Sequence, residues 1–168
     1  ERTIIMAQYT GKVWVLGDDI DTDIIIPTEY LALKTIDDMK QYGFSPLRPE
    51  LAGQIQPGDI IVAGKNFGCG SSREQAPEVI KALGIPCIIA KSFARIFYRN
   101  ALNNGLLLLE QPELHDVVKE GDTITVTVNE DVDYNGKKYP IASLPENLME
   151  IIEAGGLVKA MRKRNGLD

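Results

Sequence analysis

Short apolar runs alternate with helical patterns through the middle third of the chain. The runs Asp59–Ala63, Cys87–Ala90 and Leu106–Leu109 predict three buried strands. Apolar residues at helical spacing between these runs predict two helices, the first ending at Gly84 and the second capped by Ser92. Buried strands separated by helices are typical of βαβ units, in which helices cover a parallel sheet.

The first third of the chain combines one strand pattern with several turn signals. The run Lys12–Leu16 predicts a first strand, which ends at a Gly-Asp-Asp turn. An acidic loop, Asp21–Asp23, then leads into a short buried apolar run, Ile24–Pro27. The stretch Ile36–Tyr42 predicts a short helix, and residues 45–58, which include three prolines, predict a surface loop.

The last third changes to antiparallel character. Alternation of apolar and polar residues over Thr123–Val128 predicts an antiparallel strand, and the Asn-Gly pair within Tyr134–Lys137 predicts a type I′ hairpin turn. Helical patterns cover Pro145–Ala154 and restart at Leu157, after two glycines. The whole pattern predicts an α/β fold with a parallel βαβ core and an appended antiparallel β element, in a single domain over residues 1–168.

Charge and composition argue against several classes of function. The net charge is −6 and the sequence pI is near 4.9, which argues against a surface that binds nucleic acid or an anionic membrane. No apolar run reaches the about 18 residues of a membrane span. Two cysteines and one histidine, without a Cys-x-x-Cys pair, cannot form a structural zinc site or ligate an iron–sulfur cluster by themselves. The lack of a disulfide framework favours a reducing cytoplasm.

The first residues do not have the pattern of a secretion signal. They lack its basic start and its long apolar stretch. Met6 is a candidate natural start, and the rest of the 1–6 stretch would then be a cloning remnant or an upstream extension.

A glycine-rich turn lies between the predicted strand Asp59–Ala63 and the helix that follows it. The chain here reads AGKNFGCGSSREQ, from Ala63 to Gln75. Open parallel sheets place ligands at this end of their strands. Gly68 and Gly70 allow positive φ angles and let backbone N–H groups approach an anion closely.

The residues after the glycines predict an anion site. Two pairs fit a capping box: Ser71 with Glu74, and Ser72 with Gln75. Because Pro77 lacks an N–H, the helix should begin no earlier than about Ser72 or Arg73, which leaves free backbone donors near Ser71. Arg73 can hold a carboxylate bidentately. We expect a site for a small polycarboxylate in which a serine exchanges a proton. A turn that only starts a helix is the alternative, since the spacing matches neither the Walker motif nor GxGxxG.

Four stretches carry a resemblance to a known family. The motifs Asn66–Glu74 and Ala90–Phe97 resemble the swivel domain of the aconitase superfamily. The early motif Gly17–Asp23 and the ending Ile152–Leu157 resemble the small subunits of the isopropylmalate dehydratase and homoaconitase branch. The similarity covers nearly the whole chain. It implies an aconitase-type swivelling β/β/α domain.

The resemblance implies a hydro-lyase subunit that acts with a separate large subunit. In that family the large subunit holds a [4Fe–4S] cluster on three cysteines, and one open iron binds the substrate. The implied reaction isomerises 2-isopropylmalate and 3-isopropylmalate by dehydration and rehydration, in leucine biosynthesis. By position, Ser71 is the implied base, and Gly70, Ser72 and Arg73 are the implied substrate-binding residues. Alone, the chain is expected to be inactive, to bind no cofactor or metal, and to be capable of forming a homo-oligomer.

The resemblance also implies a substrate-selecting loop near Tyr30 and Leu31. Homoaconitases tend to carry an arginine two residues after the tyrosine, whereas this chain has Ala32 and then Leu33. Leaving a distal carboxylate unpaired would be costly, so Ala32 favours an alkylmalate substrate. Homoaconitate and dimethylmalate stay open as alternative substrates, and so does a loop without a selective role.

Several other residues have more than one interpretation. Four aspartates lack EF-hand spacing, which favours turn, capping or subunit-contact roles over a metal site: Asp18, Asp19, Asp21 and Asp23. Of these, Asp21 and Asp23 are candidates for supporting the site. Arg95 either orders the site or contributes to the subunit interface, and Cys69 is either redox-sensitive or a small residue beside the turn. For the whole chain, the alternatives are a non-catalytic carboxylate-binding module and an RNA-binding role, which the acidic charge disfavours.

Overall fold

Seven strands form one sheet in the computed structural model of the chain, which describes residues 8–166. In chain order they are β1 (Gln8–Val15), β2 (Ile60–Ala63), β3 (Cys87–Ala90), β4 (Leu107–Glu110), β5 (Thr123–Thr127), β6 (Asp131–Tyr134) and β7 (Lys137–Pro140). The sheet order is β4-β3-β2-β1-β5-β6-β7. The strands β1 to β4 pair in parallel, whereas β1, β5, β6 and β7 pair antiparallel. The predicted parallel core with an antiparallel addition is therefore confirmed.

Within residues 8–166, six helices lie in the connections between β1 and β5, and two more follow β7. They are α1 (Thr22–Ile25), α2 (Ile36–Lys40), α3 (Leu51–Gln54), α4 (Gln75–Ala82), α5 (Arg95–Asn103), α6 (Leu114–Val117), α7 (Glu146–Ala154) and α8 (Leu157–Arg164). A 3-10 turn covers Thr28–Tyr30. The stretch between residues 8 and 166 has no helix with the length and apolar character needed to cross a membrane.

The strand β1 belongs to both halves of the sheet. Its last three residues, Val13–Val15, pair in parallel with β2, and the segment Gln8–Lys12 pairs antiparallel with β5. The strand is therefore longer than the predicted Lys12–Leu16. Its first half was missed because its residues are mostly polar, and only pairing with β5 makes them a strand.

Both faces of the parallel strands are buried, which explains their continuous apolar sequences. In β2, Ile61 and Ala63 face one apolar cluster, which includes residues of α4 and α5. Ile60 and Val62 face a second cluster, which includes β5, β6 and α7. Each fully buried isoleucine contributes about 1.5–3 kcal/mol relative to an exposed one. The two clusters thus fix the strand ends that hold the glycine-rich turn.

Some local elements differ from the sequence-based expectation. The predicted acidic loop contains the short helix α1, whose first N–H groups are partly satisfied because Asp21 Oδ1 accepts from the N–H of Ile24 at 2.8 Å. The predicted loop over residues 45–58 contains α3. In contrast, the type I′ turn is present as expected, with positive φ at Asn135 and Gly136. The candidate start at Met6 lies outside the described residues.

Candidate active site

The glycine-rich turn leads from β2 into α4 through residues with positive φ. Gly68 and Gly70 have φ angles of 85° and 94°. At Gly68 the N–H donates to the carbonyl of Ile20 at 2.7 Å, and an added Cβ would lie only 2.1 Å from Cγ of Phe97. Glycine is therefore required at position 68 both by the backbone conformation and by the contact with α5.

The segment from Asp18 to Thr22 runs alongside this turn and is hydrogen bonded to it. Asp18 Oδ1 accepts from the N–H of Lys65 at 2.7 Å. Thr22 makes two bonds: its N–H donates to the carbonyl of Cys69 at 2.9 Å, and its hydroxyl donates to the carbonyl of Ser71 at 2.7 Å. Asp18 therefore has a turn role, and Asp21 has a capping role at α1. No group of three or more metal-binding side chains occurs in the part of the chain that the structure describes.

The serines do not cap α4, so the predicted capping boxes are wrong. The helix begins at Gln75, and its N-cap residue, Glu74, has a helical backbone conformation and makes no capping bond. Pro77 occupies the first turn, where a missing N–H is tolerated. Among residues 8–166, no acceptor is found for the N–H groups of residues 70–75, nor a partner for the hydroxyls of Ser71 and Ser72. The expected cluster of free donors is therefore present, and it is larger than expected because the helix starts later.

Ser92 also does not cap its predicted helix. The helix α5 begins at Arg95, and Ala94 precedes it without a side-chain capping bond. The Ser92 hydroxyl accepts instead from the N–H of Asn66 at 2.9 Å. The N–H of Ala94 donates to the carbonyl of Phe67 at 3.0 Å. Ser92 therefore ties the chain leading into α5 to the glycine-rich turn.

A cleft of about 280 Å³ lies between the turn and α5. Residues 70–73 form one wall, and Arg95, Ile96 and Phe97 form the other. This volume suits a small ligand. The cleft brings together the predicted residues Gly70, Ser71, Ser72, Arg73 and Arg95.

Arg73 is already hydrogen bonded to the segment that follows α1. Its Nη1 donates to the carbonyl of Ile26 at 2.9 Å, and its Nη2 donates to the hydroxyl of Thr28 at 2.7 Å. The same guanidinium forms an ion pair with Asp23. Its side chain is only 13% exposed. The structure therefore brings Asp23 to the site through Arg73, while Asp21 lies behind Gly70 as the cap of α1.

The predicted substrate-selecting loop does not line the cleft. The ring of Tyr30 stacks on Tyr42, with centroids 4.0 Å apart and planes within 2°. Leu31 and Leu33 are half-buried against the core, and Ala32 is exposed. The loop is nevertheless connected to the cleft, because Thr28 at its start bonds Arg73.

Sequence reasoning missed several residues of the site. Thr22 and Thr28 are among them, and so are Ile96 and Asn100, which line the α5 side of the cleft. Thr22 lies in the Asp-Thr-Asp motif, which offered a signal. Ile96 and Asn100 lie on the solvent side of an amphipathic helix, and nothing in the sequence says that this side borders a cleft.

Comparison with known proteins identifies the family of this chain. The model of the aconitase C-terminal domain matches residues 25–114. The 3-isopropylmalate dehydratase small subunit of Lachnospira eligens is 79% identical over 161 residues, which cover 96% of this chain and 98% of that relative. The corresponding small subunit 1 of Archaeoglobus fulgidus is 50% identical over 92% of this chain and 99% of its own length.

The chain belongs to the family of 3-isopropylmalate dehydratase small subunits. A crystal structure of 3-isopropylmalate dehydratase from Methanocaldococcus jannaschii agrees with this, with a TM-score of 0.89 and 39% identity over 96% of this chain and 97% of that one. The resemblance predicted from the motifs is thereby confirmed. In this small-subunit fold, the motif Asn66–Glu74 forms one wall of the cleft, and the end of Ala90–Phe97 forms the other.

The cysteines of this small subunit do not fit a [4Fe–4S] cluster, which is held by cysteine thiolates, typically four. The chain has two, and Cys87 is fully buried in β3. Burial raises the pKa of the Cys87 thiol, and the pKa of Cys69 is raised by burial and then by the nearby carboxylates of Asp19 and Asp21. Both thiols are therefore held protonated near neutral pH.

Proposed function

We propose that this chain is the small subunit of a hydro-lyase that interconverts 2-isopropylmalate and 3-isopropylmalate in leucine biosynthesis. It acts with a large subunit, which carries the [4Fe–4S] cluster. The observation that carries the proposal is the Ser71 hydroxyl, which lies at a cleft beside backbone N–H groups that have no acceptor among residues 8–166. The names of the relatives support the choice of substrate.

Ser71 is the base in this proposal. Its alkoxide takes the proton from the carbon next to a substrate carboxylate. The hydroxyl leaves the adjacent carbon as hydroxide, which the cluster of the large subunit would accept as a Lewis acid, and an alkene results. Rehydration adds both groups back in exchanged positions: the proton goes to the carbon that lost the hydroxyl, and the hydroxyl goes to the carbon that lost the proton. A serine alkoxide is reached only if donors stabilise it, and the free N–H groups of residues 70–75 supply such donors at the start of α4.

Gly70, Ser72 and Arg73 bind a substrate carboxylate in this proposal. The N–H of Gly70 and the hydroxyl of Ser72 have no partner within the described part of the chain, and both residues border the cleft. Arg73 is preorganised, because Ile26 and Thr28 fix the orientation of its guanidinium. A preorganised donor loses little side-chain entropy when the substrate binds.

Ala32 supports an alkyl-bearing substrate. A substrate with a distal carboxylate would need a cation at position 32 of this loop, and Ala32 supplies none. Homoaconitate and dimethylmalate are the rival substrates. The non-catalytic alternative is a module that binds a carboxylate without converting it.

The test is reconstitution with the large subunit encoded in the same organism. We expect turnover of isopropylmalate only in the mixture. Ser71→Ala should lower kcat by about a thousandfold, since positioned proton transfer contributes roughly 10² to 10⁴. Ser143→Ala, a serine remote in sequence that bonds Asn129, is the matched control and should keep full activity.

Two results would contradict the proposal. If Ser71→Ala kept its activity while still assembling with the large subunit, Ser71 would not be the base. If the mixture turned over homoaconitate and ignored isopropylmalate, the interpretation of Ala32 would be wrong. Binding of isopropylmalate without any turnover would favour the non-catalytic module.

A further inference from the structure

The cleft contains two arginines that differ in what already binds them. Arg73 donates to two oxygen atoms of the segment after α1 and forms an ion pair with Asp23. Arg95 lines the opposite wall, is exposed, and has no hydrogen bond or ion pair with any residue in the range 8–166. The guanidinium that remains available to a ligand is therefore that of Arg95.

The charges around the cleft make this difference important. Asp23 neutralises Arg73, and the Cβ of Asp21 lies behind Gly70. Without Arg95, the side chains at this cleft would carry no net positive charge. An alkylmalate brings two carboxylates, and a buried or half-buried carboxylate needs a charged partner.

The backbone at the start of α5, which carries Arg95, is fixed by hydrogen bonds and packing. Arg95 is the first residue of α5, two positions before Phe97, which is buried against Gly68. Ala94 is hydrogen bonded on both sides, since its N–H donates to Phe67 and its carbonyl accepts from Tyr98 at 2.9 Å. Only the Arg95 side chain has to order when a ligand binds, and its planar fork can bind a carboxylate bidentately.

We infer that Arg95 is a substrate-binding residue that receives one carboxylate of the dicarboxylate substrate. Arg73, by contrast, couples the segment 23–28 to the turn and contacts substrate only with the donors that these bonds leave. This inference rests on the proposed function, because it assigns a role within the same cleft. A contact to the large subunit is the competing role for an exposed arginine here.

The experiment uses the reconstituted enzyme with three single substitutions in α5. Arg95→Gln keeps the length of the side chain and removes its charge, and Arg95→Lys keeps the charge without the fork. Arg99→Gln is the matched control, because Arg99 is also exposed and unpaired within the described range but does not line the cleft. Steady-state kinetics give kcat and KM for isopropylmalate, and size-exclusion chromatography with light scattering measures assembly.

We expect Arg95→Gln to raise KM roughly ten- to a hundredfold, as expected for losing charged hydrogen bonds, with kcat changed less. Arg95→Lys should give an intermediate KM, and Arg99→Gln should match the wild type. An unchanged KM in Arg95→Gln would overturn the inference. So would a defect that disappears when the large subunit is in excess, because Arg95 would then be an interface residue. An inactive wild-type mixture would instead contradict the proposed function, and with it the inference.

Discussion

The hydroxyl of Thr22 donates a hydrogen bond of 2.7 Å to the main-chain carbonyl of Ser71, the residue proposed as the base. Thr22 is buried, with 2% of its surface exposed, and its own N–H donates to the carbonyl of Cys69. These two bonds hold the main chain on both sides of Gly70. The acidic motif near the N-terminus therefore fixes the position of the serine about fifty residues later in the chain.

Thr22→Val should lower kcat while leaving the overall fold intact. The substitution keeps the shape of the side chain but leaves the carbonyl of Ser71 without its donor, at a cost of about 1–3 kcal/mol. The backbone beside Ser71 is then free to move, and even a small displacement of a catalytic group lowers the rate. Kinetics of the reconstituted enzyme and urea denaturation measure the two effects. Thr22→Ser restores the hydroxyl and should recover most of the activity; equal loss in both variants would contradict this explanation.

Gly68→Ala should destabilise the chain far more than Gly121→Ala. Both glycines have positive φ, 85° and 93°, so alanine is strained at either position by about 1–2 kcal/mol. Only Gly68 faces Phe97, where the new methyl group would overlap the ring and add about 1–3 kcal/mol. The free energy of unfolding, measured with urea, gives the difference. Equal destabilisation would mean that α5 can move away from the turn at no cost.

The parallel half of the fold could be predicted because both faces of its strands are buried. Continuous apolar runs such as Cys87–Ala90 and a Gly-Pro break near residue 85 leave few alternatives. The first half of β1 could not be predicted, since Gln8–Lys12 becomes a strand only by pairing with β5. The four-residue helices α1 and α3 are too short to show a helical period.

The candidate site could be predicted only in part. The motif around Ser71 identifies one wall of the cleft by resemblance, and Arg95 belongs to a second motif. The capping boxes failed because a sequence cannot tell whether serines next to glycines start a helix or precede it by several residues. The bonds from Arg73 to Ile26 and Thr28 join segments about forty-five residues apart, and no local pattern reports such contacts.

Ala32→Arg should change the preference among substrates. Ala32 is exposed, so the longer side chain needs no repacking, and its charge could pair with a distal carboxylate. We expect the ratio of kcat/KM for homoaconitate to that for isopropylmalate to rise by at least about tenfold. Lys34→Arg, in the same exposed loop, adds an arginine without changing the charge and should leave the ratio alone. If both variants behave alike, the loop has no selective role.

Cys69 should react slowly with alkylating reagents at neutral pH. Burial, together with Asp19 and Asp21, raises the pKa of its thiol, so the reactive thiolate forms only at a pH higher than for an ordinary cysteine. Alkylation by iodoacetamide, followed by mass spectrometry from pH 7 to pH 10, should show this upward shift. Asp19→Asn should move the profile back toward lower pH, because one carboxylate is removed. Alkylation of Cys69 at pH 7 as fast as that of a free peptide thiol would contradict the expectation.

The β6–β7 turn is a place from which motion of this subunit can be observed. Asn135 and Gly136 are exposed, and β7 lies four strand spacings from β2, roughly 19 Å along the sheet. A fluorophore attached near this turn stays away from the cleft and its ligand. Paired with a second dye on the large subunit, it would record whether the distance between the two proteins changes when substrate is added, one enzyme molecule at a time.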